Sequence, residues 1–147
     1  MKCCICKKEI PTNPLTNWNG GNNALPVYAG RCCDNCDTNV VIPARMKYML
    51  GMKTLQNNPN ESFAVVLEPN GKISLYKGKN KNEFLLEELQ AMVDGLIEVY
   101  PSSDEEFTYL VNEEGLLRKL SPNHLAYHLL GIQAVGSVVI IPKNMLK

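Results

Sequence analysis

This chain of 147 residues carries no net charge: its 15 Lys and Arg are matched by 15 Asp and Glu. A balanced surface argues against indiscriminate binding to nucleic acid. Long apolar runs are missing too. The longest candidate, Val138-Val-Ile-Ile141, is strand-sized and far short of the ~20 residues that span a bilayer. No apolar segment precedes the first cysteine, Cys3, so no secretory leader is expected and the chain is expected in a reducing cytoplasm. Catalytic signatures are absent as well: there is no GxSxG elbow, no P-loop and no GxGxxG turn. No spacing assembles a Ser/His/Asp set, so the chain is not expected to be an enzyme. Internal repeats and low-complexity segments are lacking.

What the chain does have is six cysteines, all within its first 36 residues. Disulfide scaffolds spread their cysteines, so this crowding without a leader points to metal. Cys3 and Cys6 form one CxxC hook, and Cys33 and Cys36 form another. Four thiolates in two hooks suit tetrahedral zinc, and an all-sulfur shell leaves no position open for water. The expected cofactor is therefore a structural zinc on Cys3, Cys6, Cys33 and Cys36. It would supply most of the folding energy of a minidomain with few large apolar groups. Cys4 and Cys32 leave the register open, although using either breaks the x-x spacing that turns backbone N–H groups toward sulfur.

Charge is unevenly placed. Residues 1–60 hold seven Lys/Arg against three Asp/Glu, and residues 61–147 hold eight against twelve. That split indicates two modules with different surfaces. Residues 1–55 read as a zinc ribbon or knuckle pair with a trailing helix. Val40-Val-Ile42 reads as a short strand. Pro43 then opens a helix to about Met52, with Met46, Met49 and Leu50 as its buried stripe. Residues 56–60 read as a linker. In residues 61–147, Ser62–Glu68 and Lys72–Tyr76 are expected strands around a turn at Pro69-Asn-Gly71. A helix from Glu83 to Asp94 is capped by Asn82, turns Phe84, Leu85, Leu89 and Met92 inward, and stops at Gly95. Strands Leu96–Tyr100 and Glu106–Asn112, a helix Pro122–Leu130 and a strand Val138–Ile141 complete the order. The expected class is α+β: a small zinc-ribbon or knuckle module, then a β-β-α-β-β-α-β domain with a mostly antiparallel sheet and helices on one face.

Three more groups are candidates for function. Arg31, Arg45 and Lys47, with Trp18 and Tyr28 as stacking platforms, are what a nucleic-acid-binding module would use. They form no basic stripe, and a solvated surface is the simpler reading. His124 and His128 share a helix face at i, i+4, but no third ligand and no HExxH glutamate accompany them, so packing is the default. Asn112, Glu113, Glu114 and Asn123 fall at strand ends or in loops. If those ends converge on one rim they line a small polar ligand pocket; otherwise they are turn formers and caps.

Two stretches carry a resemblance. Gly21-Asn-Asn-Ala-Leu-Pro-Val27, Gly30-Arg-Cys-Cys-Asp-Asn-Cys36 and Val40-Val-Ile-Pro-Ala-Arg45 resemble a cysteine-rich module of uncharacterised proteins from phages and mobile elements of gut-type bacteria. Residues Leu89–Val99, Leu110–Leu117, Leu120–Asn123 and Gly136–Ile140 resemble a domain of unknown function common in phages and conjugative elements, over about Ser62 to Pro142. Neither resemblance brings an activity. Together they imply an accessory protein of a phage or mobile element in the cytoplasm of a bacterial host, with no membrane partner. It would act by binding, either sequestering a small nucleotide-like signal or inhibiting a host defence protein. The alternative is a zinc-ribbon regulator that binds nucleic acid through Arg31, Arg45 and Lys47.

Overall fold

The computed structural model describes residues 1–145, so the last two residues of the expected 61–147 domain lie outside the described residues. The first segment folds back on itself through a bridge between Lys2 and Glu9. A two-residue hairpin follows, β1 (Asn22–Asn23) against β2 (Arg31–Cys32). The chain then turns directly into helix: α1 (Asp34–Cys36), a π-helical stretch over Asp37–Val41, and α2 (Ile42–Asn57). The expected strand at Val40–Ile42 does not form. Cys33 is extended and caps the helix start, its Sγ accepting from the Cys36 N–H. Pro43 sits in the first turn of α2, where its missing N–H costs nothing. Once the nucleus is formed there, the β-branched run simply propagates it.

The remainder follows the expected order: β3 (Phe63–Leu67), β4 (Ile73–Lys77), α3 (Leu86–Val93), β5 (Ile97–Val99), β6 (Phe107–Asn112), α4 (His124–Leu130) and β7 (Val138–Pro142). The strands form one five-stranded sheet, β4-β3-β7-β6-β5, in which every pairing is antiparallel. The class and the order of elements along the chain are those the sequence predicts. The helices, however, divide between the two faces rather than sharing one. Leu89 and Val93 of α3 pack with Ala64, Val66, Leu110, Val139 and Ile141. Leu55 of α2 and Leu125 and Ala126 of α4 pack with Val65, Leu67, Tyr109, Val111, Val138 and Ile140. The reason lies in β6 and β7, which are buried along their whole length on both sides. A run such as Val138-Val-Ile-Ile141 needs cover for both faces, and each fully buried aliphatic side chain contributes about 1.5–3 kcal/mol.

Helix α2 is also turned relative to the expected stripe. Ala44, Gly51 and Leu55 face inward, whereas Met46, Met49 and Leu50 are more than half exposed. Both faces of this helix are apolar, and the one with the smaller groups wins because it allows close approach. A Cβ at Gly51 would lie 2.8 Å from Val65 Cγ2. The cores of the two parts are continuous: Cys3, Ile10, Val27, Cys32 and Cys36 belong to the same apolar cluster as Val65 and Ile140.

Helix α3 starts later than expected, and Asn82 does not cap it. The Glu88 carboxylate does that work from inside the helix. Its Oε1 accepts from the Leu85 N–H at 3.1 Å, and its Oε2 accepts from the Tyr76 hydroxyl at 2.9 Å and the Lys79 N–H at 3.1 Å. Burial alone would raise this carboxyl, but the donors outweigh it and hold the group below its ordinary 4.5. Glu88→Gln is expected to cost about 1–3 kcal/mol at neutral pH. Because folding lowers the Glu88 pKa, its contribution is complete above 4.5 and is lost as pH falls through the folded-state value. Urea midpoints of parent and variant should converge on acidification, and a constant gap would contradict the ionised carboxylate.

Candidate functional site

The two CxxC hooks meet. The sulfur atoms of Cys3, Cys6, Cys33 and Cys36 all lie within 4.8 Å of one another, and among the described residues this is the one group of side chains so placed to hold a metal ion. Cys6 Sγ and Cys33 Sγ are 3.8 Å apart, close to the edge of a tetrahedron with zinc–sulfur bonds of ~2.3 Å. The first hook lies in the turn closed by Lys2 and Glu9, and the second is the first turn of the helix. Backbone N–H groups point at sulfur in both. Ile5 and Cys6 donate to Cys3 Sγ at 3.4 and 3.5 Å, and Cys36 donates to Cys33 Sγ at 3.5 Å.

These donors favour thiolate. Burial pushes the Cys3 thiol up, but N–H groups of Cys6, Cys33 and Ile5 more than offset it and bring it from 9.0 to about 6. Cys36 moves upward, through burial and through the neighbouring sulfurs with which it shares protons. A cation at the centre of the four would take the place of those protons. Cys4 and Cys32 stand outside the cluster. Burial raises both thiols, Cys32 to about 11, with neighbouring negative charge adding to it. The residues fit a metal whose role is to hold the two hooks and the helix start together.

Both arginines of this module are occupied. Arg31 Nε and a terminal nitrogen donate to the carbonyls of Gly20 and Gly21, each at 2.9 Å, and the guanidinium lies 6.0 Å from the Trp18 ring centre. Arg45 reaches Leu25 O and Asn23 O, both at 2.8 Å. Lys47 is exposed. Both arginines therefore tie down the loop between the hooks, a role that their charge in the sequence did not signal.

The second feature is a cleft of about 980 Å³. Its floor is β5 and the end of β6, one wall is α4, and the turn at residues 113–117 forms the other. Tyr100, Val111, Leu116, Leu117, Tyr127 and Val135 give it an apolar lining, and Glu98 and Glu113 lie on it as well. Leu116 and Leu117 are 82% and 83% exposed. Of the four residues proposed for a polar pocket, Asn112, Glu113 and Asn123 line this cleft and Glu114 does not. The two amides are already engaged. Asn112 Nδ2 donates to Val93 O and Asp94 O, and its Oδ1 accepts from the Glu114 N–H. Asn123 Nδ2 donates to Leu67 O and Gly136 O, and its Oδ1 accepts from the Ala126 N–H to cap α4. They build the cleft from behind. His124 also lines it, with its ring 4.6 Å from that of Tyr28, while His128 packs edge-on against Tyr127.

Residues 61–144 match the family described as Domain of unknown function (DUF3846). The match spans more than half of the chain and coincides with the domain read from about Ser62 to Pro142; the chain belongs to this family. No curated protein and no solved structure matches it.

Cys33→Ser or Cys36→Ser is expected to remove bound metal and to expose the N-terminal module to proteolysis, whereas Cys4→Ser should leave metal content unchanged. Native mass spectrometry checks both. Retention of metal by the Cys36→Ser chain would rule out the four-sulfur assignment.

Proposed function

We propose that this chain acts by binding a protein partner in the cleft between β5–β6 and α4, while a structural zinc on Cys3, Cys6, Cys33 and Cys36 holds the N-terminal module in place. The cleft is the observation that carries this reading. Its volume of about 980 Å³ lies at the upper end of the range of roughly 300–1,000 Å³ typical of ligand sites. Leu116, Leu117 and Tyr127 stand exposed around it, and covering a leucine side chain contributes about 1.5–3 kcal/mol. Among the described residues no Lys or Arg lines the cleft, while Glu98 and Glu113 do. Such a lining repels phosphate, so it supports a protein partner over a small nucleotide-like signal. Binding rather than turnover fits the rest of the domain. Glu88 and Asp104 spend their carboxylates on neighbouring N–H and hydroxyl donors, and both histidine rings are packed on tyrosines.

In this reading the N-terminal residues 1–55 and the domain from residue 61 onward work as one unit. The resemblance to proteins of phages and mobile elements supplies the setting: an accessory protein that inhibits a host factor. Sulfur ligation and the closed shell favour zinc over harder ions.

A photo-crosslinking residue in place of Leu117 is expected to capture a protein in cells that hold the natural partner. The same residue in place of Leu75, exposed on the far strand β4, should capture none. The double change Leu116→Ala, Tyr127→Ala in the chain that carries the crosslinker at position 117 should abolish that capture with little effect on stability. A nucleotide released from the native protein by denaturation, with no crosslink at position 117, would overturn the reading.

A further inference from the structure

The sheet has two edges, and they are finished differently. The β4 edge is flanked by Lys72 and Lys77, the kind of charge that discourages further pairing. The β5 edge has no lysine. Its exposed or half-exposed residues are Leu96, Ile97, Glu98 and Val99. The pairing with β6 fixes which backbone groups point outward. Tyr100 N–H donates to Tyr109 O, and Glu113 N–H donates to Leu96 O. With Glu98 opposite Val111, the inward-bonded residues are Leu96, Glu98 and Tyr100. Ile97 and Val99 therefore aim their N–H and C=O groups away from the sheet.

The same alternation places Glu98 and Tyr100 on the face that carries the cleft, and both line it. A strand added alongside β5 would thus send every second side chain over the cleft. The charge of this region is one-sided. From residue 82 to residue 117 the chain has ten Asp and Glu and not one Lys or Arg.

We infer that the occupant of the cleft is an extended, basic segment of the partner protein, added to β5 as a sixth strand with alternate apolar side chains inserted between Tyr100, Leu116 and Tyr127. The inference rests on the cleft being the binding site and specifies how that site is filled. Ile97 and Val99 each supply one donor and one acceptor to the incoming backbone, which gives affinity without sequence dependence. The residue opposite Glu98 shares the cleft face with the inserted side chains and is basic, because facing side chains of neighbouring strands lie in contact, and the residues two positions to either side of it are the apolar ones. A second copy of this chain fits poorly. Pairing β5 with its own copy would bring Glu98 toward Glu98 on an edge already surrounded by carboxylates.

The test uses the full metal-loaded chain and a displayed library of random linear peptides. The selected peptides are expected to carry a basic residue with apolar residues two positions to either side of it. A synthetic copy should lose about tenfold or more in affinity to the Val99→Pro chain, since proline removes an outward N–H that no strand of this sheet uses. N-methylation of alternate amides of the peptide should cause a similar loss, which keeps the test decisive if the proline variant folds poorly. Glu98→Lys should shift the selection toward acidic peptides.

Peptides anchored at helical spacing, or binding unchanged by both Val99→Pro and N-methylation, would overturn strand addition. If such binding still fell with the Leu116, Leu117 and Tyr127 changes, the cleft itself would stand. Loss with Val99→Pro but none with those three changes would keep strand addition and remove the cleft. No enrichment at all, or a homodimer that Val99→Pro dissociates, would overturn the inference.

Discussion

Four sulfur atoms within 4.8 Å of one another govern how the first third of this chain is arranged. That segment buries mostly small groups, among them Cys3, Ala24, Cys32 and Cys36, with Ile10, Val27 and Val41 as its larger buried side chains. The cluster joins the opening turn to the helix that begins at Cys33. Because α1, the π-helical stretch and α2 follow without a break, the direction of that first turn sets where α2 lies. Helix α2 then covers Val65 and its neighbours through Ala44, Gly51 and Leu55. The effect reaches the cleft by a second route. Lys7, just after the first hook, sits over the Tyr28 ring, and Tyr28 stacks on His124 in the cleft wall. The cysteine cluster thus orients both the cover of the sheet and one side of the cleft.

The uneven charge has a structural meaning on each side. In the basic half, Arg31 and Arg45 turn inward to backbone carbonyls and close the long loop between the hooks. In the acidic half, some carboxylates are similarly absorbed. Asp104 accepts from the N–H groups of Glu106 and Phe107 and from the Tyr109 hydroxyl, and these donors hold it below its ordinary range despite burial. Glu98 and Glu113 are not among these, and they remain on the cleft. The net effect is a chain that is neutral by count and acidic where the sheet is open.

The features legible in the sequence were those set by short-range spacing. The x-x gap between cysteines, the Pro-Asn-Gly turn and the period-two strands each depend on a few consecutive residues, and the order of elements along the chain follows from them. What stayed hidden depends on choices between equal local patterns. Helix α2 has two apolar faces, and the close approach of Gly51 to Val65 of β3, a long-range contact, favours the inner one. The apolar run Val138–Ile141 shows that β7 is buried, but not that cover comes from α3 on one side and from α2 and α4 on the other. The cleft was the least visible feature, because β5, the 113–117 turn, α4 and residues 133–135 all contribute to it and no one segment carries its signature.

Asn112 and Asn123 show how such a site is encoded. Both lie in stretches that carry the family resemblance, and both were candidates for contact with a ligand. In the fold they are 5% and 2% exposed, with every polar side-chain atom bonded to backbone. Asn112 locks the end of β6 to the end of α3 and to the turn that carries Leu116 and Leu117. Asn123 locks the start of α4 to β3 and to Gly136. One amide therefore fixes each wall. Leaving either amide unsatisfied would cost about 1–3 kcal/mol, so the walls are held at a set distance before any partner arrives. Rigidity of that kind lowers the entropy lost on binding. In the proposed reading, it would let a cleft with few free polar groups of its own be selective, through its shape and through the orientation of the open strand beside it.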